Sequence, residues 1–300
     1  MTDTPHDLIV IGTGVAGLSA AREALRAGLT VACIESQIFG GLILNVNELD
    51  GAIQGSGSEF AAGLMEEVQQ LGAVQIGGAA SALEAGDGSV RVTADSGRHA
   101  ARAVVVASGA ARRKLGVPGE EALDGRGVSH CADCDAPMFR GQAVVIAGGG
   151  DSALQSALVL ATYCSQVMIV HRGGAFSAKP HLVAAVQATP NVALRFGSEV
   201  SEVLGTQGVE GVRIGAQVVP CSGFMACVGL EPASAFLPAA VERDDRGAVL
   251  TLADFQTTMP GVYAAGAVRA GCGGMVEDAV SDGAAAARAV VARLAALDGL

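Results

Sequence analysis

Short apolar runs alternate with stretches of helical spacing along this chain, most clearly in two places. "DLIVI", Asp7 to Ile11, reads as a buried parallel strand, because a strand covered on both faces shows no polar side. "GTGVAG" follows as a turn, and "LSAAREALRAG" repeats its apolar residues at helical intervals. "LTVACIE", Leu29 to Glu35, closes the unit as a second strand. The same order returns between Gly141 and Arg172, in "GQAVVIAGGGDSALQSALVLATYCSQVMIVHR". Two such strand–turn–helix–strand units predict an α/β protein with two Rossmann-like dinucleotide-binding domains. "VRVTA" and "AVVVASGA" between them read as further strands. "LGVPGEEALDG", Leu115 to Gly125, and the charged "ERDDRGA", Glu242 to Ala248, are the candidate linkers. Near the end, "GVYAAGAV" precedes an alanine-rich helix expected from Met275 to Leu297, with Gly283 as its candidate break.

Composition narrows this picture. A chain of 300 residues can bury two cores, and 50% hydrophobic with 16% charged residues is a globular balance. Its 42 glycines suit tight turns and close backbone approaches. A net charge of −11 argues against nucleic acid and anionic membranes as partners. No window approaches the ~18 apolar residues of a membrane span. The polar opening "MTDTPHD" and the short run "LIVIG", without a basic flank, do not make a secretion signal. Seven cysteines, an odd number spread thinly, read as mostly reduced thiols, so a cytoplasmic location is expected.

Three motifs carry chemistry. The first is Gly12-x-Gly14-x-x-Gly17, between a strand and a helix. Small residues there bring backbone N–H groups against a pyrophosphate at a helix N-terminus, and Glu35 ends the next strand where a ribose diol would be bonded. The second is Gly148-x-Gly150-x-x-Ala153, whose following strand ends in His171 and Arg172 instead of an acid. A basic end there tolerates a 2′-phosphate. The third is Cys131-x-x-Cys134 followed by Asp135. Such a pair can be half a zinc site, a redox disulfide or two inert thiols. Structural zinc needs four ligands, and neither a histidine pair nor a suitably spaced second cysteine pair accompanies it, Cys221 and Cys227 lying in a separate apolar region. No metal is expected. A carboxylic acid beside the pair suits thiol–disulfide exchange, since it can protonate a leaving thiolate.

Together these motifs make the chain resemble the low-molecular-weight thioredoxin reductase family over nearly its whole length. "IGTGVAGLSAA" is similar to the family's FAD fingerprint, "GGLI" to its "GGQL", "ASGA" to the strand closing the FAD domain and "LGVPGE" to its first linker. "CADCD" is similar to the active-site segment, "GGGDSAL" to the pyridine-nucleotide turn and "TMPGVYAAG" to the return to the flavin. The resemblance implies a discontinuous FAD domain, 1–115 and 245–300, around an inserted NAD(P)-type domain, 116–244, that carries the cysteines. It implies FAD held by Gly12, Gly14, Gly17, Glu35, Gly41, Gly109, Gly266 and Ala267, and NADPH or NADH held by Gly148, Gly150, Asp151, Ala153, His171 and Arg172. Cys131 and Cys134 would form the redox disulfide, with Cys134 facing the flavin, Cys131 attacking the partner and Asp135 as acid/base. A thioredoxin-like protein or a small disulfide or dithiol would be the partner, and the assembly a homodimer.

The departures cluster. The family's His-Arg-Arg-x-x-x-Arg segment is "HRGGAFS" here, with Gly173 and Ser177 in place of arginines and Lys179 as a candidate substitute. Charge-assisted bonds of ~1.5–3 kcal/mol each make that a loss of about tenfold to thousandfold or more in NADPH affinity. Around the flavin, Leu42 replaces a glutamine, Glu48 an asparagine, Ala267 an aspartate, and Gly274-Met275 an Arg-Gln pair. The expected function is an FAD-dependent disulfide oxidoreductase fed by a reduced pyridine nucleotide. The alternatives are a dithiol oxidase passing electrons to oxygen, which needs no 2′-phosphate site, a redox-sensing flavoprotein with little NAD(P)H activity, and a reductase fed by ferredoxin or flavodoxin.

Overall fold

The structure is a computed structural model that describes residues 6–46, 49, 52–86 and 88–299; Glu48 lies outside them. The chain opens with strand β1 (His6–Ile11), helix α1 (Val15–Arg26) and β2 (Val31–Glu35). Next come α2 (Gly57–Gln70), β3 (Val74–Gly77), β4 (Ala80–Ala85), β5 (Val90–Ala94), β6 (Gly97–Val106) and β7 (Ala110–Arg112). The cysteine segment follows as β8 (Val128–Ser129) and α3 (Ala132–Asp135). The second repeat is β9 (Ala143–Gly148), α4 (Asp151–Ala161) and β10 (Gln166–His171), extended by α5 (Pro180–Ala188) and β11 (Val192–Phe196). The strands β12 (Val200–Gly205), β13 (Val209–Ile214), β14 (Gln217–Pro220), β15 (Gly223–Cys227), β16 (Leu230–Pro232) and β17 (Val262–Ala264) precede the last helix, α6 (Val276–Asp298).

The chain divides into two compact units, one of Met1–Ala111 with Glu231–Leu300 and one of Arg112–Leu230. In the first, a seven-stranded sheet runs β3-β2-β1-β6-β5-β4, with β17 also on β6. The β1, β2, β3, β17 and β6 contacts are parallel, while β4, β5 and the start of β6 form an antiparallel meander. Alternate residues of β1 serve opposite faces: Leu8 and Val10 pack with α1, α2 and α6, while Ile9 and Ile11 join a second core with Val92, Leu237 and Val249. Burial on both sides is why this strand reads as a continuous apolar run.

The second unit has a parallel sheet, β11-β10-β9-β15-β8, and an antiparallel one, β12-β13-β14. Val144 and Ile146 of β9 face α4 and α5, whereas Val145 and Ala147 face Val203 and Val212 of the antiparallel strands. That antiparallel layer is absent from the sequence reading, because "SEVLGTQGVEGVRIGAQVVP" mixes glycine and polar residues with a short-range alternation.

Two expectations change. Helix α6 runs unbroken through Gly283. A Cβ there would lie 2.0 Å from the Ala16 oxygen, so this glycine permits the close crossing of α1 and α6 and does not end the helix. The segment Glu242–Ala248 is not a linker but lies within the first unit. Its charges are used locally: Asp244 Oδ1 accepts from the Arg246 and Ala248 amides at 2.9 and 2.8 Å, and Arg243 donates to the Ser234 and Leu237 carbonyls at 2.9 and 3.1 Å.

Candidate active site

In the first unit the glycine turn between β1 and α1 is built by close approach. A Cβ on Gly12 (φ +94°) would sit 2.5 Å from the Ala107 oxygen at the end of β6, and one on Gly17 would sit 1.9 Å from the Gly12 oxygen. Gly14 caps α1 without any side-chain hydrogen bond, so the first amides of the helix keep their partial positive charge for a ligand. Glu35 is already oriented. Its Oε2 accepts from the Thr13 amide and hydroxyl at 2.7 and 2.8 Å, and its Oε1 from the Gln37 amide at 3.0 Å. Thr13 is a partner that the sequence reading missed, although it sits inside the motif.

Further predicted residues gather around this turn. Gly40 bridges to Gly14 and donates to the Thr13 oxygen at 2.8 Å, and Gly41 follows with φ +64°. Gly109 lies just past β6 and accepts from the Ala233 amide at 3.0 Å. Gly266 (φ +74°) is so near α1 that a Cβ would stand 2.6 Å from that of Ala16. Ala267 is exposed and offers only a methyl group. The crowding that excludes every Cβ from Gly12 and Gly17, with a preset carboxylate at Glu35, fits the adenylate half of FAD.

Behind Gly266 lies a cluster that sequence reasoning did not find. Arg269 and Asp282 pair through two bonds of 2.9 Å, and Asp282 also accepts from the Gly266 amide at 3.1 Å. The guanidinium stands 4.9 Å from the Phe255 ring centre. The available signal was an aspartate on an otherwise apolar helix face.

The second turn repeats the construction in the second unit. A Cβ on Gly148 would meet the Cys227 oxygen at 2.4 Å, Gly150 caps α4 without a side-chain bond, and Ala153 is fully buried beneath. The His171 ring lies against Gly149 and Phe176, with ring centres 5.9 Å apart in the latter case. Arg172 is exposed and makes no ion pair among the described residues. Lys179 is engaged instead with Asp151, whose Oδ1 accepts from the Lys179 amide at 2.7 Å and whose Oδ2 lies 3.6 Å from its ammonium. Ser177 turns back to the Gly149 oxygen, with its amide at 2.9 Å and its hydroxyl at 3.3 Å.

Cys131 and Cys134, in the same unit, are joined as a disulfide with an S–S distance of 2.19 Å. Cys131 caps α3, its sulfur accepting from the Cys134 amide at 3.2 Å. Asp135 is held by the buried Ser129, whose hydroxyl donates to Oδ2 at 2.7 Å and accepts from the Cys131 amide at 3.3 Å. Ser129 is therefore a member of the site that the motif alone did not reveal. His130 pairs with Asp124 at 2.8 Å. Cys131 is buried and Cys134 exposed. The other thiols are quiet: burial pushes Cys33 and Cys221 up to about 12, and raises Cys164, Cys227 and Cys272 above their usual value.

The sequence profile of the pyridine nucleotide-disulphide oxidoreductases matches residues 6–289. The chain is 34% identical over 297 residues to the thioredoxin reductase of Treponema pallidum, covering 96% of each. It is 35% identical to that of Listeria monocytogenes, covering 93% of this chain and 90% of the relative. The solved thioredoxin reductase of Lactococcus lactis superposes with a TM-score of 0.88 at 29% identity, over 96% of this chain and 99% of that one.

Proposed function

The chain belongs to the pyridine nucleotide-disulphide oxidoreductases, within the thioredoxin reductase family, and from that premise we propose that it carries electrons from a reduced pyridine nucleotide through FAD to Cys131–Cys134 and on to an external disulfide. The observation that carries this is the closed cysteine pair with the Ser129-held carboxylate of Asp135 beside it. The acceptor is a thioredoxin-like protein or a small-molecule disulfide.

Bound FAD supplies the two-electron relay between nicotinamide and disulfide. The Gly12–Gly17 turn and Glu35 would hold its adenylate end, and the Gly148–Ala153 turn would hold the nucleotide. Reduction opens the Cys131–Cys134 bond to two thiol groups. The Cys131 thiol gives its proton to Asp135 and, as thiolate, attacks the acceptor disulfide, forming a mixed disulfide and expelling one acceptor thiolate, to which Asp135 passes the proton. Cys134, as thiolate, attacks the Cys131 sulfur, releases the second acceptor thiol and restores the intrachain bond. Since Cys131 is buried and Cys134 exposed, this order requires Cys131 to be uncovered before the acceptor step.

The donor side supports NADH at least as well as NADPH. Where the family places three arginines, Arg172 remains and makes no ion pair among the described residues, Lys179 is tied to Asp151, and Ser177 is bonded to the turn itself. The same loss supports a second reading, a dithiol oxidase that sends electrons from a small dithiol through the cysteines and flavin to oxygen, giving peroxide. Steady-state assays separate the two. The reductase oxidises NADH or NADPH only when a disulfide is present; the oxidase makes peroxide from a dithiol with no nucleotide added, and that result without nucleotide turnover would overturn the first reading.

A further inference from the structure

The Arg269–Asp282 pair has no role in the chemistry above. Its side chains are 17% and 10% exposed. An ion pair taken this far out of water loses much of its attraction to desolvation, and apolar residues of similar volume commonly serve stability as well. Stability is thus a poor reason to keep it.

Its geometry suggests a better one. Asp282 Oδ2 accepts from the Gly266 amide at 3.1 Å, while the Arg269 amide donates to the Gly266 oxygen at 2.9 Å. Asp282 thus fixes the Gly266 amide, and the backbone amide of Arg269, whatever its side chain, fixes the Gly266 oxygen. The guanidinium is steadied from the other side by Phe255, the only non-glycine with positive φ (+66°) among the described residues. Asp282 immediately precedes Gly283, whose contact with Ala16 sets α6 against the start of α1. One carboxylate thus ties the Gly266–Ala267 turn to α6, which Gly283 lets pack closely on α1, the helix whose N-terminus carries the first glycine motif. At 267 the side chain is an exposed methyl, so the turn can meet a ligand only through its backbone.

We infer that Arg269 and Asp282 are positioning residues for the flavin, holding the Gly266–Ala267 backbone in the conformation that receives FAD where no side-chain carboxylate does so. This rests on FAD being the bound cofactor. The test uses the full chain stripped of FAD, titrated with FAD by fluorescence quenching, alongside thermal melts of each apoprotein. R269M/D282L removes both charges and keeps the apolar volume; D282A removes the acceptor of the Gly266 amide. Both are expected to raise the Kd for FAD at least tenfold, which is about 1.4 kcal/mol, with R269M/D282L melting as wild type. R269K keeps the charge but gives up the two-bond hold, so it decides the matter if the double variant does not fold, with the same rise expected. Wild-type Kd in R269M/D282L or R269K, or a loss of affinity that merely follows a lowered melting point, overturns the inference. A wild-type chain that takes up no FAD overturns the flavin reading itself, an outcome distinct from the others.

Discussion

At the scale of single residues, the seven cysteines divide by environment. Burial keeps Cys33 and Cys221 protonated, with pKa values of about 12, so neither forms thiolate near neutrality. After mild reduction, iodoacetamide at pH 8 is expected to label Cys134 first, Cys131 more slowly as it becomes uncovered, and to leave Cys33 and Cys221 unmodified in peptide mass maps; labelling of Cys33 or Cys221 in folded protein would contradict this. Cys134→Ser is expected to reduce disulfide turnover by roughly a thousandfold or more, as loss of a nucleophile does. Asp135→Asn should cost about a hundredfold, the low end of general acid–base contributions. Ser129→Ala should cost less, about fivefold to tenfold, since it frees Asp135 without removing it. The Cys131-x-x-Cys134-Asp135 segment was legible as a motif, and the family resemblance singled out its redox reading from the alternatives. Ser129 and Thr13 were not, because a hydroxyl becomes informative only once a fold turns it toward a carboxylate.

At the scale of elements, glycines set how closely helices and strands approach. Gly283→Ala would drive a methyl into the Ala16 carbonyl, and a destabilisation of roughly 1–3 kcal/mol is expected in denaturant melts, despite alanine's better helix propensity. From sequence this glycine looked like a helix break; only the packed partner shows why it is there. The start of β1 is fixed by charge. Burial opposes the Asp7 carboxylate, but hydrogen bonds from the Thr30 amide and hydroxyl and the Arg102 guanidinium outweigh it and hold its pKa below the ordinary 3.8. A carboxyl depressed in the folded state adds stability above its unfolded pKa, and that stability is lost as pH falls through the folded value. Asp7→Asn should therefore cost about 1–2 kcal/mol at neutral pH and progressively less as pH drops below 3.8. An Asn variant equally destabilised at every pH would refute the charge argument. Elements buried on both faces, such as β1 and β9, were readable as apolar runs; the half-exposed antiparallel strands β12 to β14 were not, since their alternation is interrupted by glycine and turns.

For the whole molecule, the order of motifs along the chain was the most informative feature. A redox pair in one unit, between two dinucleotide turns, describes a route for electrons before any coordinate is known. What the sequence left open is the donor, and the surroundings of Arg172 bear on it. Restoring the family's cations with G173R/S177R is expected to shift the kcat/KM ratio toward NADPH by tenfold or more over wild type. An unchanged ratio would mean that Arg172 and its neighbours do not read the 2′-phosphate. Most direct is an anaerobic titration of the FAD-loaded protein, following the flavin's visible absorption as NADH or NADPH is added, then a disulfide acceptor. Nucleotide is expected to bleach the flavin and the acceptor to restore its absorption, with recovery lost in C131S and C134S. Bleaching by a dithiol alone, with neither nucleotide having any effect, would contradict this.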